Sequence, residues 1–380
     1  MRILFATTAG AGHFTPMVPL AEGCRAAGHD VAVAAPSSFA GAVERTGLAH
    51  LPFADAADEQ MGAVFARLPG LSFDEANEVV VREVFAGLDA RAALPGLDET
   101  VGAWQPDVIV RDPAEFASYV VAERRGVPHV SVAIGPAAVE DAMLSVVDDA
   151  LRDLGAGRGS GGLLAAPVLS LVPSVLDGPR ADGGPVVRLR YETAPPSASA
   201  ALPRWGDPEA PLVYVSYGTV TAGLAPFAAI YPATVAALAD RPVRALVTVG
   251  DSGDPATLGP LPENVLVERF RPQQDVMPFA AAVIGHGGFG TTMTALAHGV
   301  PLVVLPLFAL DQRINALAVA GAGAGVALDG GPADVGRLGE ALDAVLGDAS
   351  FGTGARRVAD EISALPPAAT TAAVLAQLVG

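Results

Sequence analysis

Two sets of residues in this chain have the types and spacing to do chemistry. The first is the stretch Ile284-Gly285-His286-Gly287-Gly288-Phe289-Gly290-Thr291-Thr292, where an apolar run meets glycines and then continues as a helical sequence. A turn of this kind gathers backbone N–H groups and the positive end of a helix dipole at one point, which suits a phosphate. Glycine lets the backbone come close because no Cβ stands in the way. Further on, Asp311-Gln312 closes a second apolar run, 300–308, at the strand end where open α/β sheets place ligand contacts. The second set is His13, in the loop 9–14, and Asp112, at the head of Asp112-Pro113. A histidine backed by a carboxylate is a general base: the carboxylate fixes the tautomer and stabilises the imidazolium. The same positions also suit a loop histidine bonded to backbone and an aspartate capping the helix that begins near Pro113. The residues by themselves leave both readings open.

These groups need elements to carry them. Residues 2–7 read as a strand, 16–27 as a helix closed by Gly28, 29–35 as a strand, and 38–46 as a helix stopped by Gly47. That is β-α-β-α from the first residue, the pattern of a doubly wound parallel sheet. Residues 107–111 are a buried-type strand, followed by a helix at 116–125 and a strand at 129–134. His13 and Asp112 therefore sit at the ends of two strands of one sheet. The span 51–100 reads as helices with apolar faces joined by loops. Its Phe53, Met61, Phe65 and Phe73 are core, or else line an apolar acceptor pocket together with Phe14.

A helix at 139–154 leads into a Gly-rich, apolar stretch read as loop or paired helices, and 186–190 is a strand. The Pro/Ser/Ala-rich segment 192–203 has no period and marks a linker. The second half then restarts the pattern. Strands are expected at 212–216, 244–249, 265–268 and 280–284, helices at 227–238, 276–279 and 293–297. A strand at 300–308, a polar loop at Asp311-Gln312 and a helix at 314–320 follow, then a strand at 326–328 and a helix at 332–346. Tail helices at 355–365 and 370–379 flank Pro366-Pro367. The division is a domain at 1–192, a linker at 193–208 and a domain at 209–365, two α/β domains facing each other across a cleft.

Composition bounds the function. With 380 residues, two domains are expected. The chain is 51% hydrophobic and 17% charged, so it can bury a large core. It contains no lysine, and its net charge of −18 repels nucleic acid and anionic lipid. The single cysteine, Cys24, excludes an internal disulfide and a Cys-based zinc site. No signal peptide or bilayer-spanning run is read, so a cytoplasmic protein without a membrane span is expected.

The ordered set of motifs resembles the nucleotide-sugar glycosyltransferases of plant secondary metabolism and bacterial antibiotic pathways. It lies nearest the bacterial enzymes that glycosylate polyketides and macrolides. The residues that carry the likeness are His286-Gly287-Gly288-Phe289-Gly290-Thr291, Gly299-Val300-Pro301, and Asp311-Gln312 with Asn315. With them go the His13 loop, Asp112-Pro113, Gly126-Val127-Pro128, Ser216-Tyr217-Gly218-Thr219 and Phe270-Arg271-Pro272-Gln273. The resemblance implies the GT-B architecture of two Rossmann-like domains, with the helix 370–380 packing back on the first. It implies that His286, Gly287, Gly288, Gly290 and Thr291 cradle the donor diphosphate, helped by Ser216, Gly218 and Thr219. Asp311 and Gln312 would hold the sugar, Phe270 would stack on the base where plant relatives have tryptophan, and Arg271 and Gln273 would reach base and ribose. His13 would be the base and Asp112 its partner. The expected reaction is inverting, metal-independent transfer from a dTDP-type sugar to an apolar aglycone, with no cofactor. C-glycosylation, a sugar-nucleotide epimerase, a non-catalytic helper and a homodimer stay open at this stage.

Overall fold

The computed structural model describes residues 1–178, 183–197, 201–219 and 221–379. Contacts divide the chain into two compact units. One is Met1–Pro173 with Asp177–Glu192 and Leu365–Gly380; the other is Ser174–Leu176 with Thr193–Ala364. Residues 198–200 of the expected linker, and Gly380 of the expected last helix, lie outside the described residues.

The first unit is built on β1 (Arg2–Ala6), β2 (Asp30–Pro36), β3 (Ala49–Phe53), β4 (Val108–Arg111), β5 (His129–Ala133), β6 (Val168–Ser170) and β7 (Val186–Arg188). They form one parallel sheet in the order β3-β2-β1-β4-β5-β6-β7. The central strands β1 and β4 are buried along almost their whole length, as a sheet covered by helices on both faces requires. The chain adds β2 and β3 on one side of β1 and then crosses back to lay β4 on the other, with Ala6 opposite Arg111. The loops after β1 and β4 thus leave the sheet side by side at the point where the strand order reverses.

Three features of this unit differ from the sequence expectation. Residues 49–53 form a strand, although the span from 51 on reads as helices and loops. As β3 is an edge strand, a proline there breaks no ladder on its outer side. The short β6 lies in the stretch read as loop or helix. Residues Val80–Asp89 wind as a π-helix between the α-helices Phe73–Val79 and Ala90–Trp104.

The second unit repeats the plan with β8 (Leu212–Ser216), β9 (Arg244–Thr248), β10 (Val265–Glu268), β11 (Ala280–Gly285), β12 (Leu302–Val304) and β13 (Gly325–Ala327). All pairs are parallel, in the order β10-β9-β8-β11-β12-β13. The order reverses between β8 and β11, where Ser216 stands opposite Gly285. The helix after β11 starts at the glycine turn, Phe289–Ala297, earlier than its sequence period suggests. Asp311 and Gln312 occupy the first turn of the helix Leu310–Gly321, not a polar loop.

The tail forms helices Ala349–Ala364 and Thr371–Val379 on either side of Pro366-Pro367. By length and composition alone the span Ala349–Val379, which holds an apolar stretch of mean hydropathy 1.5, could cross a membrane. The prolines split it into helices of 16 and 9 residues, each shorter than the roughly 20 residues a bilayer needs. The last segment packs closely on the first unit. A Cβ on Gly23 would stand 2.4 Å from the Ala368 carbonyl, and Ala368 N–H donates to Glu192 Oε1 at 2.8 Å.

Candidate active site

In the first unit, the loop after β1 turns at Gly10 into the short helix Ala11–Phe14, which carries His13. Its Nδ1 lies 3.0 Å from Asp112 Oδ1. Asp112 is wholly buried. Its carboxylate is held from all sides: Oδ1 also accepts from Ala114 N–H at 3.2 Å, and Oδ2 accepts from Thr8 N–H at 3.3 Å and Thr8 Oγ at 3.0 Å. Burial alone would favour the neutral acid. The charge of His13 and these hydrogen bonds outweigh it and hold Asp112 below the usual carboxylate range. The carboxylate therefore takes the Nδ1–H of the ring, leaving the basic lone pair on Nε2, which points the opposite way. Phe85, presented by the π-helix, meets the imidazole edge-on with ring centroids 5.9 Å apart. The arrangement can take a proton at Nε2 and stabilise the resulting imidazolium.

In the second unit, His286 follows β11 and packs between two glycines. A Cβ on Gly288 would stand 2.5 Å from its Nε2, and one on Gly218 3.1 Å. Gly218 also holds φ +86° and Gly287 φ +87°, conformations that a side chain would strain. A Cβ on Gly287 would collide with the Gln312 carbonyl at 2.4 Å. Burial pushes the His286 imidazole down to about 4, against a weaker opposing pull from the Ser216 backbone. It is a neutral donor near pH 7. Asn315 donates to the Gly287 carbonyl at 2.8 Å and fixes the turn. Gly288 is the N-cap of the helix Phe289–Ala297 and has no side chain to cap it. The positive end of that helix thus lies beside a neutral imidazole, a setting for an anion.

The remaining sequence-selected residues are placed as follows. Ser216, almost fully buried, ends β8, and Thr219 is exposed just beyond it. Gln273 Nε2 donates to Thr291 Oγ at 2.8 Å, which ties the loop after β10 to the glycine turn. Gly290 lies in the first turn of that helix. Phe270 is 61% exposed, an open aromatic face. Arg271 is engaged by Glu268 in a two-point pair, at 2.8 and 2.6 Å. Asp311 is half-buried. Gln312 faces inward: its Oε1 accepts from Leu307 N–H at 2.9 Å and Phe308 N–H at 3.2 Å, so its carbonyl serves the loop. In the first unit Phe53 is a core residue and Phe14 is buried against Phe39. Met61 and Phe73 are half-buried, and Phe65 is exposed.

Sequence reasoning missed Thr8, Phe85 and Arg111. The Thr7-Thr8 pair closing β1, and an arginine inside the apolar strand β4, were the available signals for two of them. Phe85 is one of the apolar residues of 51–100, core or pocket by sequence, and nothing in the sequence sets it beside His13.

Residues 22–154 match the family described as erythromycin biosynthesis protein CIII-like, N-terminal domain, and residues 234–378 match its C-terminal domain. The L-demethylnoviosyl transferase of Streptomyces niveus is 32% identical over 385 residues, 99% of this chain and 98% of that protein. Among solved structures, the glycosyltransferase SnogD from Streptomyces nogalater has a TM-score of 0.78 at 29% identity, with 100% of both chains covered. The glycosyltransferase VinC in complex with dTDP has a TM-score of 0.76 at 25% identity, over 100% of this chain and 99% of that one.

Proposed function

Because the chain belongs to the erythromycin biosynthesis protein CIII-like family, bacterial natural-product glycosyltransferases of GT-B architecture, we propose that it moves a deoxysugar from a dTDP-linked donor to an apolar aglycone, with inversion. Aromatic polyketides and macrolides are the aglycone classes that fit the family's name and the relatives. The observation that carries the reading is the 3.0 Å contact between His13 Nδ1 and the buried Asp112, at the strand-order reversal of the first sheet.

The acceptor O–H is a poor nucleophile near pH 7. Its proton goes to His13 Nε2 as its oxygen bonds to the anomeric carbon, and the bond from that carbon to the diphosphate oxygen breaks. Attack opposite the leaving group inverts the centre. Base help of this kind contributes about 10²–10⁴-fold. The leaving dTDP carries the growing negative charge. The glycine turn, the helix Phe289–Ala297 and neutral His286 are the groups suited to it, and no step calls for a metal. Phe270 offers a face for the base, and Asp311 and Gln312 offer partners for the sugar. The dTDP bound to VinC supports the choice of nucleotide.

The base is on the first unit and the donor residues are on the second, so binding and turnover separate experimentally. In His13→Ala, transfer of sugar is expected to vanish while calorimetric dTDP affinity is kept. A variant that transfers sugar at the wild-type rate removes the base assignment.

A further inference from the structure

We infer that Arg111 is a positioning residue for the His13–Asp112 pair: its guanidinium locks the buried turn that aims Asp112 at His13. The inference rests on the reading of His13 as the base. Arg111 ends β4, an otherwise Val-Ile-Val strand set between β1 and β5, and its side chain is 0% exposed. A charge in such a place persists only when hydrogen-bonded or paired. Here Nη1 donates to the carbonyls of Asp112 at 3.0 Å, Pro113 at 3.3 Å and Glu115 at 3.1 Å.

Those carbonyls lie in the loop 112–116, every residue of which is buried. Loops are ordinarily at the surface because their backbone groups need water. Arg111 takes the place of water at this one. The Asp112 carboxylate is in turn fixed on His13, Thr8 and Ala114, so a shift of the turn would move both its oxygens off their partners.

The other guanidinium nitrogens, Nε and Nη2, have no hydrogen-bond partner. Arg111 therefore grips backbone, and its charge acts on the carboxylates at longer range. The groups that face it are Asp112 and Glu115 of the turn, Tyr119 of the helix Ala117–Arg125, His129 of β5 and Glu140 of the helix Ala137–Asp153, with His13 beyond Asp112. Arginine keeps its charge at every working pH, so Asp112 has a permanent positive neighbour while His13 gains and loses its proton.

The test uses the full-length enzyme and two variants with opposite signatures. Arg111→Lys keeps the charge, but its ammonium ends one bond short of the Nη1 position that grips the three carbonyls. Its kcat is expected to fall about 10–100-fold, with donor KM and dTDP affinity unchanged. The acid limb of its kcat pH profile moves to lower pH, because a looser Asp112 stabilises the imidazolium less. Arg111→Gln keeps a planar donor and loses the charge, and its acid limb moves to higher pH. Rates are taken per folded molecule, with the folded fraction from near-UV circular dichroism, and His13→Ala is measured alongside.

If His13→Ala is inactive while both Arg111 variants keep the wild-type kcat and pH profile, the inference is overturned and the base reading stands. If His13→Ala turns over normally, the base reading fails and takes the inference with it. Failure of both Arg111 variants to fold also overturns the inference, in favour of a purely structural arginine.

Discussion

Asp112 has no exposure to solvent, yet its carboxylate is matched by four donor contacts, one from His13, two from Thr8 and one from Ala114. Such a group orients the imidazole; it has no room to act on substrate itself. Asp112→Asn keeps the volume but presents an amide whose nitrogen can face Nδ1, which favours the wrong tautomer. We expect kcat to fall about 10²–10⁴-fold with donor KM unchanged, measured by steady-state kinetics. His286 plays a different part. It is held neutral, so it offers an N–H without a charge that titrates near neutral pH. Its contribution to dTDP affinity should therefore be flat from about pH 6 to 8. Calorimetry of the wild type and His286→Ala across that range checks this; a gap between them that widens with acidity would show that His286 binds as a cation.

The glycine turn after β11 is where element geometry matters most. Gly287 combines positive φ with a backbone neighbour 2.4 Å from where a Cβ would be, and that neighbour is the Gln312 carbonyl of the next helix. Gly287→Ala should lower stability by about 1–3 kcal/mol and weaken dTDP binding together, seen by thermal melting and calorimetry. Gln312→Ala releases Leu307 and Phe308 N–H from their shared acceptor, and the loop before the helix Leu310–Gly321 loses its clamp. The glycine turn was legible from the sequence because strand, glycines and helix succeed one another there. The inward turn of Gln312 was not, because a glutamine in a helix's first turn reads alike whether it faces ligand or its own loop. Likewise Phe53 read as pocket or core, and only its packing beside β2 and the helix Ala90–Trp104 makes it core.

At the scale of the whole chain, stability should fall on acidification for a specific reason. Burial pushes His129 down to about 3 and His286 to about 4, below the ordinary 6.5. Each is neutral in the fold, while the unfolded chain takes up the proton. The stability they lend is complete above about pH 6.5 and is lost progressively as pH falls towards these values. Asp112, held low by its partners, adds to the loss at still lower pH. Calorimetric melting between about pH 7 and 4 should show a falling Tm, and His129→Phe, which keeps a ring against Tyr119, should flatten part of that fall. An unchanged slope in the variant would locate the acid sensitivity elsewhere.

The sequence by itself determined the α/β class, the doubly wound plan of both halves and the strand ends that carry His13, Asp112 and the glycine turn. Buried parallel strands are continuous apolar runs and their turns need glycine, so both are written locally. It also bounded the chemistry, since one cysteine and an acidic, lysine-free surface leave few other partners. The tertiary structure alone decided which strand ends meet. His13 and Asp112 are 99 positions apart, and they touch because β4 crosses back to lie against β1. Strand order is set by how helices cover the faces of the sheet, a property of the whole packing that no local period records. The same holds for Arg111, Thr8 and Phe85. Their types are ordinary in the sequence, and what they do follows from the backbone that burial brings against them.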